Sequence, residues 1–521
     1  MPRKKIKSHG KDKASNSRTF YVLIALYIVG VLSRLSYIRQ EIHPYQFCDE
    51  GIFSGEVSRL LQTNTFSTIE FRSGGFNIYP VLFPLKFLAS VLHLTFDTNT
   101  LLVTGRIILP LLLGTATIFP IFSASKKILN SEKYGILAAA LFVASPFAFA
   151  QSHIWYPDGY LMFFSAITFN YLAKFKTSGW DKRDYIGLGF CLALAVSTKY
   201  TALILTIPFL YMFYKLRRVR PTERKLINYQ NMSVATFITT GAILNFSVLS
   251  HFSQLLTGVH SDVKIYKIAS YFRFSGIVFY WVNALFLALS LTGSLLLISG
   301  IYWIAKKNLD RRVAGLLFVT PAVYLTFMGL SRQVLNRNID IYIPLICILA
   351  AIGVRAINET SKSQFFKYSI LCISIIPMVS QTAFEIISDI KIDSRISAHN
   401  WLAKNIPAGS TVGVNLGCSE SSPADGLGYS LISDETMKTE QKYYVFVSYW
   451  NSPFIGYYTS SNIFQELNMK YLHFYHFNDS DLLKWKSTNS EISDLTPKGY
   501  SIIKNFHTNG PDVLVLAKNI P

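Results

Sequence analysis

Charged residues and paired cysteines are scarce in this sequence. Asp, Glu, Lys and Arg make up 15% of its 521 residues, whereas about 25% is usual in a soluble domain. The five cysteines, at positions 48, 191, 347, 372 and 418, show no paired spacing. The spacing therefore predicts neither a disulfide framework nor a CxxC metal site, and it leaves open only a single Cys48–Cys418 bridge.

Apolar residues are abundant instead. The chain is 50% hydrophobic and 15% aromatic, and a mean hydropathy of +0.31 over this length predicts many membrane spans. The net charge of +20 is compatible with nucleic-acid binding. However, the basic residues lie in short clusters between apolar runs, and from Asp389 onwards 11 Lys and Arg face 13 Asp and Glu. The excess therefore indicates membrane orientation by the positive-inside rule.

The first apolar run, Phe20 to Ile38, is long enough to cross a hydrocarbon core of ~30 Å. It follows a basic tail, residues 1–19, and lacks a small-residue cleavage site, so it predicts an uncleaved helix that leaves the cytoplasm. The tail itself is expected to be disordered. Eleven spans are predicted, with the N-terminus inside and the C-terminus outside: 20–38, 100–122, 135–151, 158–175, 185–199, 200–215, 232–252, 276–304, 313–331, 339–354 and 367–387.

One further apolar stretch, Ile78 to Leu94, decides the topology of everything after it. Pro80, Pro84 and Lys86 interrupt it, and if it crossed the membrane, every later basic loop would face outwards. We therefore expect a helix that lies along the outer interface, within an outer loop formed by residues 39–99. This single assumption places five basic loops in the cytoplasm: 123–134, 174–184, 215–225, 305–312 and 355–367.

The last 131 residues, 391–521, have the pattern of a small α/β domain outside the cytoplasm. Ser394 to Asn405 is predicted to form an amphipathic helix with Ile396, Trp401 and Leu402 on its apolar face. Short strands are predicted over 411–414, 443–448, 500–503 and 513–516. Because the run from Tyr443 to Val447 has no alternating polar positions, we expect this strand to be covered on both faces.

An acidic pair, Asp49 and Glu50, follows the first span on its outer side. Carboxylates beside a bilayer are costly to hold unless something uses them, so the pair is the first candidate for catalysis. The alternative is that both residues only solvate a loop. A third candidate acid, Asp158, directly follows Pro157 at a predicted helix start, where an aspartate can also serve as a cap.

Several cations and aromatic residues are predicted on the same membrane side. Carboxylates can deprotonate or orient an acceptor hydroxyl or amine, and cations can bind a phosphate and stabilise it as it leaves. Ordinary snorkelling of basic side chains is the competing explanation. The substrate-binding candidates of this group are Arg34, Arg106, His153, Tyr156, Lys199, Arg332 and Arg337.

Short motifs in order along the chain resemble the membrane glycosyltransferases of the GT-C fold. The greatest likeness is to the protein O-mannosyltransferase and aminoarabinose transferase group (dolichyl-phosphate-mannose-protein mannosyltransferases), in which arginines such as Arg34 and Arg106 are typical. The motifs are Cys48-Asp49-Glu50-Gly51, Thr104-Gly105-Arg106, Ala144-Ser145-Pro146 leading to Tyr156-Pro157-Asp158, Ser197-Thr198-Lys199-Tyr200-Thr201, Asn336-Arg337 with Tyr342-Ile343-Pro344, and Ala398-His399-Asn400-Trp401-Leu402.

The resemblance implies an inverting sugar transfer from a polyprenyl-phosphate donor to a lipid, glycan or protein acceptor. It adds Tyr342 to the substrate-binding residues, and it implies an integral protein of the plasma (inner) membrane. No loop between spans is long enough for the soluble lumenal module of eukaryotic O-mannosyltransferases. The residues indicate no cofactor, predict no metal-ligand set and leave the help of a divalent metal open. A transporter or flippase of lipid-linked sugars is the leading alternative, and a polysaccharide ligase or polymerase is the second.

Overall fold

The structure is a computed structural model that describes residues 8–35, 38, 48–68, 74–177, 180–219, 223–254, 256–257, 274–306, 321–330, 334–389, 394–415, 422–433, 443–447, 457–458, 500–506 and 513–518. The chain divides into two compact units. The first comprises Met1–Ile38, Ile52–Arg332 and Arg337–Ile386, and the second comprises Arg39–Gly51, Gln333–Asn336 and Ile387–Pro521.

Apart from the short β1, all regular secondary structure of the described chain before residue 390 is helical. The α-helices are α1 (Ser8–Arg34), α2 (Cys48–Gln62), α3 (Tyr79–Leu92), α4 (Thr98–Arg106), α5 (Ile118–Leu129), α6 (Glu132–Val143), α7 (Pro146–Gln151), α8 (Pro157–Thr177), α9 (Lys182–Thr198), α10 (Thr206–Val219), α11 (Arg224–Leu244), α12 (Phe246–Ser250), α13 (Phe274–Lys306), α14 (321–329), α15 (Ile343–Thr360) and α16 (Gln364–Asp389). A π-helix covers Ile107–Gly114, and 3₁₀-helices cover Gly75–Asn77, Tyr200–Leu205 and Asn336–Tyr342.

Helical segments lie at all eleven predicted spans, but several boundaries differ from the expectation. The first helix begins at Ser8, so the expected disorder of the whole tail up to residue 19 is wrong. No proline lies between Ser8 and Phe20 to stop the helix from extending out of the span. Residues 135–151 form two helices because Pro146 opens α7 and the Ser145 hydroxyl accepts a hydrogen bond from the Ala148 N–H at 3.2 Å.

Four helical segments of the described chain are long and apolar enough to cross a membrane: Ser17–Arg34, Thr98–Leu129, Arg337–Thr360 and Gln364–Ile387. The third of these is buried within the first unit, whereas the first and fourth lie mostly on its surface. The protein is therefore a polytopic helical membrane protein. The number of eleven spans stays a prediction.

The disputed stretch Ile78 to Leu94 contains a helix of 14 residues, α3. At 1.5 Å per residue it is about 21 Å long, which is short for a hydrocarbon core of ~30 Å. Its residues Phe83, Phe87 and Val91 are exposed and apolar. These features fit a helix that lies along the membrane interface, and its placement on the outer side stays a prediction.

Cysteine labelling of the predicted cytoplasmic loop 123–134 tests this topology. In a background without reactive native cysteines, Lys133→Cys should react only with reagents that reach the cytoplasm, because that loop is predicted inside. Thr95→Cys, in the predicted outer loop, is the matched control and should react with an impermeant reagent from outside. The opposite pattern would invert the topology and move the candidate site to the other membrane face.

Two pairs of helices in the first unit approach closely at glycines. A Cβ atom at Gly353 of α15 would lie 1.8 Å from the Leu296 carbonyl oxygen of α13, and one at Gly300 would lie 2.2 Å from the Leu349 oxygen. At Gly189 of α9 it would lie 2.1 Å from the Ser233 oxygen of α11. Small residues that let helix backbones touch are a common basis of packing in membranes.

The second unit is built on a five-stranded sheet in the order β3-β2-β4-β7-β6. Strands β2, β3 and β4 are parallel, and β7 is antiparallel to both β4 and β6. A separate antiparallel pair joins β1 and β5. The elements are β1 (Val334–Leu335), β2 (Thr411–Asn415), β3 (Ser430–Ser433), β4 (Tyr443–Val447), β5 (Tyr457–Tyr458), β6 (Tyr500–Phe506), β7 (Val513–Lys518) and the helix α17 (Ser394–Asn405).

The expectation of a small α/β domain is confirmed in its helix and in four of its strands. Tyr444 and Val445 point to opposite faces of β4 and are both buried, so that strand is covered on both sides as predicted. The predicted face of α17 is partly wrong: Leu402 is in the core, whereas Ile396 is exposed and Ala398 is buried instead. Strand β3 was missed because Ser430–Ser433 is short and has serine at both ends.

Candidate functional site

A buried ion pair joins the beginning of α8 to the end of α9. Pro157 opens α8 and puts Asp158 in its first turn. Lys199 follows the last residue of α9 in an extended conformation, and its Nζ donates to Asp158 Oδ1. Asp158 is fully buried and the Lys199 side chain is 15% exposed. Asp158 therefore pairs with a cation. A residue that served only as a helix cap would not need this partner.

Asp340 is a second carboxylate at the same lysine, and it was not among the residues predicted from the sequence. Lys199 Nζ lies 4.0 Å from Asp340 Oδ2, and Asp340 is fully buried. Within the described residues, the Oδ2 atoms of Asp158 and Asp340 have no hydrogen-bond partner. Buried polar atoms nearly always have one. The two carboxyl groups are close enough for a hydrogen bond through a shared proton, and an oxygen outside that bond can accept from a substrate hydroxyl or a water. We refer to Asp158, Lys199 and Asp340 as the ion cluster.

Arg337 supplies a second cation beside the ion cluster. Its guanidinium carbon lies 4.3 Å from the centre of the Tyr156 ring, the arginine is 6% exposed, and its charge acts on Lys199. A guanidinium stacked on an aromatic ring keeps a planar fork that suits phosphate oxygens. The structure thus brings together four of the residues predicted from the sequence: Tyr156, Asp158, Lys199 and Arg337.

Buried tyrosines surround Asp340. The rings of Tyr324 and Tyr342 are 5.5 Å apart, and both side chains interact electrostatically with Asp340. The Tyr342 hydroxyl is buried and has no hydrogen-bond partner among the described residues. Asn338, also missed from the sequence, donates from Nδ2 to the Tyr280 hydroxyl at 3.0 Å.

Three other predicted residues form a basic group, with Arg34 on α1, Arg106 at the end of α4 and His153 between α7 and α8. All three are buried. Arg34 Nη1 donates to the Gly30 carbonyl at 2.9 Å, whereas its Nε and Nη2 lack a partner within the described part of the chain. Burial, together with the positive charges of Arg34 and Arg106, lowers the pKa of His153 to about 3. The imidazole is therefore neutral at pH 7 and leaves the positive charge to the arginines.

The acidic pair lies in the first turn of α2 and not in a loop. A helix N-terminus favours negative charge because its N–H groups point outwards. Glu50 is fully buried, so the alternative of a solvated loop is wrong for this residue. The Asp49 side chain and the whole of Arg332 lie outside the described residues.

Residues 87–250, which contain Arg106, His153, Asp158 and Lys199, match the family model of the dolichyl-phosphate-mannose-protein mannosyltransferases. A search of the curated proteins finds no match.

Solved structures match over most of the chain. The oligosaccharyltransferase of Archaeoglobus fulgidus in its apo form has a TM-score of 0.53 at 10% identity and covers 96% of this chain and 88% of its own. The archaeal oligosaccharyltransferase AglB from Archaeoglobus fulgidus, in complex with an inhibitory peptide and a dolichol-phosphate, has a TM-score of 0.51 at 12% identity and covers 86% of this chain and 75% of its own. ArnT from Cupriavidus metallidurans bound to undecaprenyl phosphate has a TM-score of 0.48 at 12% identity and covers 96% and 98%.

The archaeal match extends over both units of the chain, and the family model covers the segment that carries the Asp158–Lys199 pair. The chain has the GT-C fold of membrane glycosyltransferases, and its residues 87–250 resemble the dolichyl-phosphate-mannose-protein mannosyltransferase family, which confirms the likeness predicted from the sequence.

Proposed function

We propose that this protein is an inverting glycosyltransferase that moves a sugar from a polyprenyl-phosphate donor to a lipid, glycan or protein acceptor on the outer face of the membrane. The observation that carries the proposal is the ion cluster with Arg337 beside it. Buried charges are expensive, and even a paired set is often no more stable than apolar side chains of the same volume. A cluster of this kind is therefore better explained by a role in substrate binding or catalysis than by a contribution to stability.

In the proposed reaction the carboxylates act on the acceptor and the cations act on the donor phosphate. An acceptor hydroxyl or amine attacks the anomeric carbon of the donor, the bond from that carbon to the phosphate oxygen breaks, and the polyprenyl phosphate leaves with the electron pair. Asp49 takes the acceptor proton, and Glu50 supports it. Arg337 and Lys199 meet the phosphate and stabilise its charge as it leaves.

The remaining residues bind and place the substrates. The free Oδ2 of Asp158 accepts a hydrogen bond from a substrate hydroxyl, and Asp340 holds Lys199 from the other side. Tyr156 and Tyr342 provide aromatic faces and hydroxyl groups, which suit sugar rings. Arg34 and Arg106 supply positive charge for an anionic part of a substrate, with neutral His153 between them.

One matched protein and the matched family support the donor class. AglB was solved with a dolichol-phosphate, and the matched family is described by its use of dolichyl-phosphate-mannose. The matched family and the matched fold belong to glycosyltransferases, so the transporter alternative gains no support.

Mass spectrometry of cell-envelope glycans, proteins and lipids from a deletion strain tests the proposal. The strain should lose one sugar from an acceptor and accumulate the polyprenyl-phosphate sugar, and the wild-type gene should restore both. Asp158→Asn should restore them poorly, with transfer at least about tenfold slower, because a charge-assisted hydrogen bond is lost.

A second ion pair between the same two helices provides the control. Asp184 accepts from Lys174 Nζ at 2.6 and 2.7 Å at the other end of α8 and α9, so Asp184→Asn should restore the sugar fully. A complete set of sugars in the deletion strain, or purified wild-type protein that forms no product from donor and envelope extract, would contradict the proposed function.

A further inference from the structure

A single asparagine in the predicted outer loop connects the segments that carry the ion cluster. Asn77 is fully buried. Its Nδ2 donates to the Gly74 carbonyl and to the Thr198 carbonyl, each at 2.9 Å. Its Oδ1 accepts from the Tyr160 hydroxyl at 2.5 Å, and its own carbonyl accepts from Trp155 Nε1 at 3.2 Å.

Three of these partners lie within two positions of a candidate-site residue, and Trp155 directly precedes Tyr156. Thr198 directly precedes Lys199, and Tyr160 lies two residues after Asp158. The Thr198 carbonyl belongs to the last turn of α9, whose carbonyl groups have no partner within the helix. Asn77 therefore caps the C-terminal end of α9 from a distant part of the chain, at the point where the backbone turns out of the helix and presents Lys199.

The loop around Asn77 packs closely against the C-terminal end of α9. A Cβ atom at Gly74 would lie 1.9 Å from the Ser197 carbonyl oxygen, so only glycine allows the loop backbone to approach α9 so closely. Asn245 adds a second connection, since its Oδ1 accepts from the Gly75 N–H at 3.1 Å and its Nδ2 donates to the Ser197 hydroxyl at 2.7 Å.

We propose that Asn77 is a positioning residue: through its hydrogen bond to the Thr198 carbonyl it holds the end of α9, and with it the Lys199 ammonium, against Asp158. The part of this proposal that concerns transfer rests on the proposed function. The placement of Lys199 does not, because it is a property of the folded protein without substrate.

The reactivity of the Lys199 amine tests the placement directly. Purified full-length protein is treated with an acetylating reagent, and the rate of modification at Lys199 is followed by peptide mass spectrometry. Asn77→Ala removes both donated hydrogen bonds. We expect Lys199 to be acetylated roughly tenfold faster in this variant. We also expect the donor concentration needed for half-maximal transfer to rise.

Three further variants separate this role from a general loss of packing. Asn245→Ala keeps Asn77 and loosens the same loop, so it should raise the rate in the same direction by a smaller factor. Tyr160→Phe removes only the hydrogen bond to Oδ1 and should leave the rate at Lys199 within twofold of wild type. Asn170→Ala is the matched control, because Asn170 accepts from Lys127 Nζ at 2.6 Å on α8, twelve residues or about 18 Å along the helix from Asp158.

A folded Asn77→Ala protein with a wild-type rate at Lys199 would overturn the proposal, and so would a Tyr160→Phe effect as large as that of Asn77→Ala. If Asn77→Ala does not fold, Asn245→Ala decides, and an unchanged rate in that variant overturns the proposal. If the wild-type protein transfers no sugar while Asn77→Ala still exposes Lys199, the proposed function fails and the positioning role stands.

Discussion

Asp49→Asn should lower sugar transfer about 10²–10⁴-fold, the usual loss when a general base is removed. The substitution keeps the size of the side chain and removes only its ability to take a proton. Expression and membrane insertion should therefore stay normal. Transfer is measured with purified protein at saturating donor, so that the result reports the chemical step and not donor binding.

An aspartate elsewhere in the predicted outer loop is the control for this variant. Asp97 caps α4 by accepting from the Thr100 N–H at 2.9 Å. Because asparagine caps a helix as well as aspartate does, Asp97→Asn should transfer at the wild-type rate. If Asp49→Asn also keeps the wild-type turnover, the base must be sought elsewhere, and Asp158 with its unpartnered oxygen is the next candidate.

Arg337→Ala should raise the donor concentration needed for half-maximal transfer roughly tenfold to a hundredfold. A charge-assisted hydrogen bond to phosphate contributes ~1.5–3 kcal/mol, and the guanidinium can make two at once. Arg337→Lys keeps the charge but loses the fork and the stacking on Tyr156, so it should recover only part of the affinity. Turnover at saturating donor should change less than the donor requirement does.

Lys199→Ala should also raise the donor concentration needed for half-maximal transfer, but this variant is expected to lose stability as well. Removing one partner of a buried ion pair costs ~3–5 kcal/mol of stability, and here two buried carboxylates would lose their cation. Lys199→Ala is therefore compared with the double variant Lys199→Ala/Asp158→Asn, in which that cost is reduced. Lys174→Ala is the control for losing a lysine from the same helix pair. An unchanged donor requirement in folded Arg337→Ala and Lys199→Ala would remove the main ground for a phosphate donor.

Much of the helical part of this fold could be predicted from apolar run length alone. A span needs ~20 apolar residues, and this requirement is visible along the chain without any knowledge of the packing. The interruptions inside spans were harder to predict. The π-helix at Ile107–Gly114 contains Pro110, and α13 leaves helical geometry at Leu289 and Ser290. Neither break changes the hydropathy of the segment, so the run-length criterion does not detect it.

The candidate site was predicted in part, because an unusual residue can be recognised in the sequence but its partner cannot. Asp158 and Lys199 are 41 positions apart, and nothing local indicates that they touch. Asp340 was missed although an acid between Ile339 and Ile341 is itself a signal of function in an apolar segment. Asn77 could not have been found at all, since its importance arises from hydrogen bonds to α8 and α9 over 83 and 121 positions.

The two ion pairs between α8 and α9 have a consequence for how the protein enters the membrane during its synthesis. One pair closes each end of an antiparallel hairpin, and the ends are about 24 Å apart along α8. On the predicted topology the Lys174–Asp184 pair stays on the cytoplasmic side, whereas Asp158 and Lys199 have to cross the bilayer. A charged side chain that crosses alone costs up to ~2.5–3.5 kcal/mol at the membrane midplane. Because Asp158 and Lys199 belong to consecutive helical segments, the nascent hairpin can pair these two charges before any later span has left the ribosome. Insertion of α8 and α9 as a unit is therefore favoured over insertion one helix at a time.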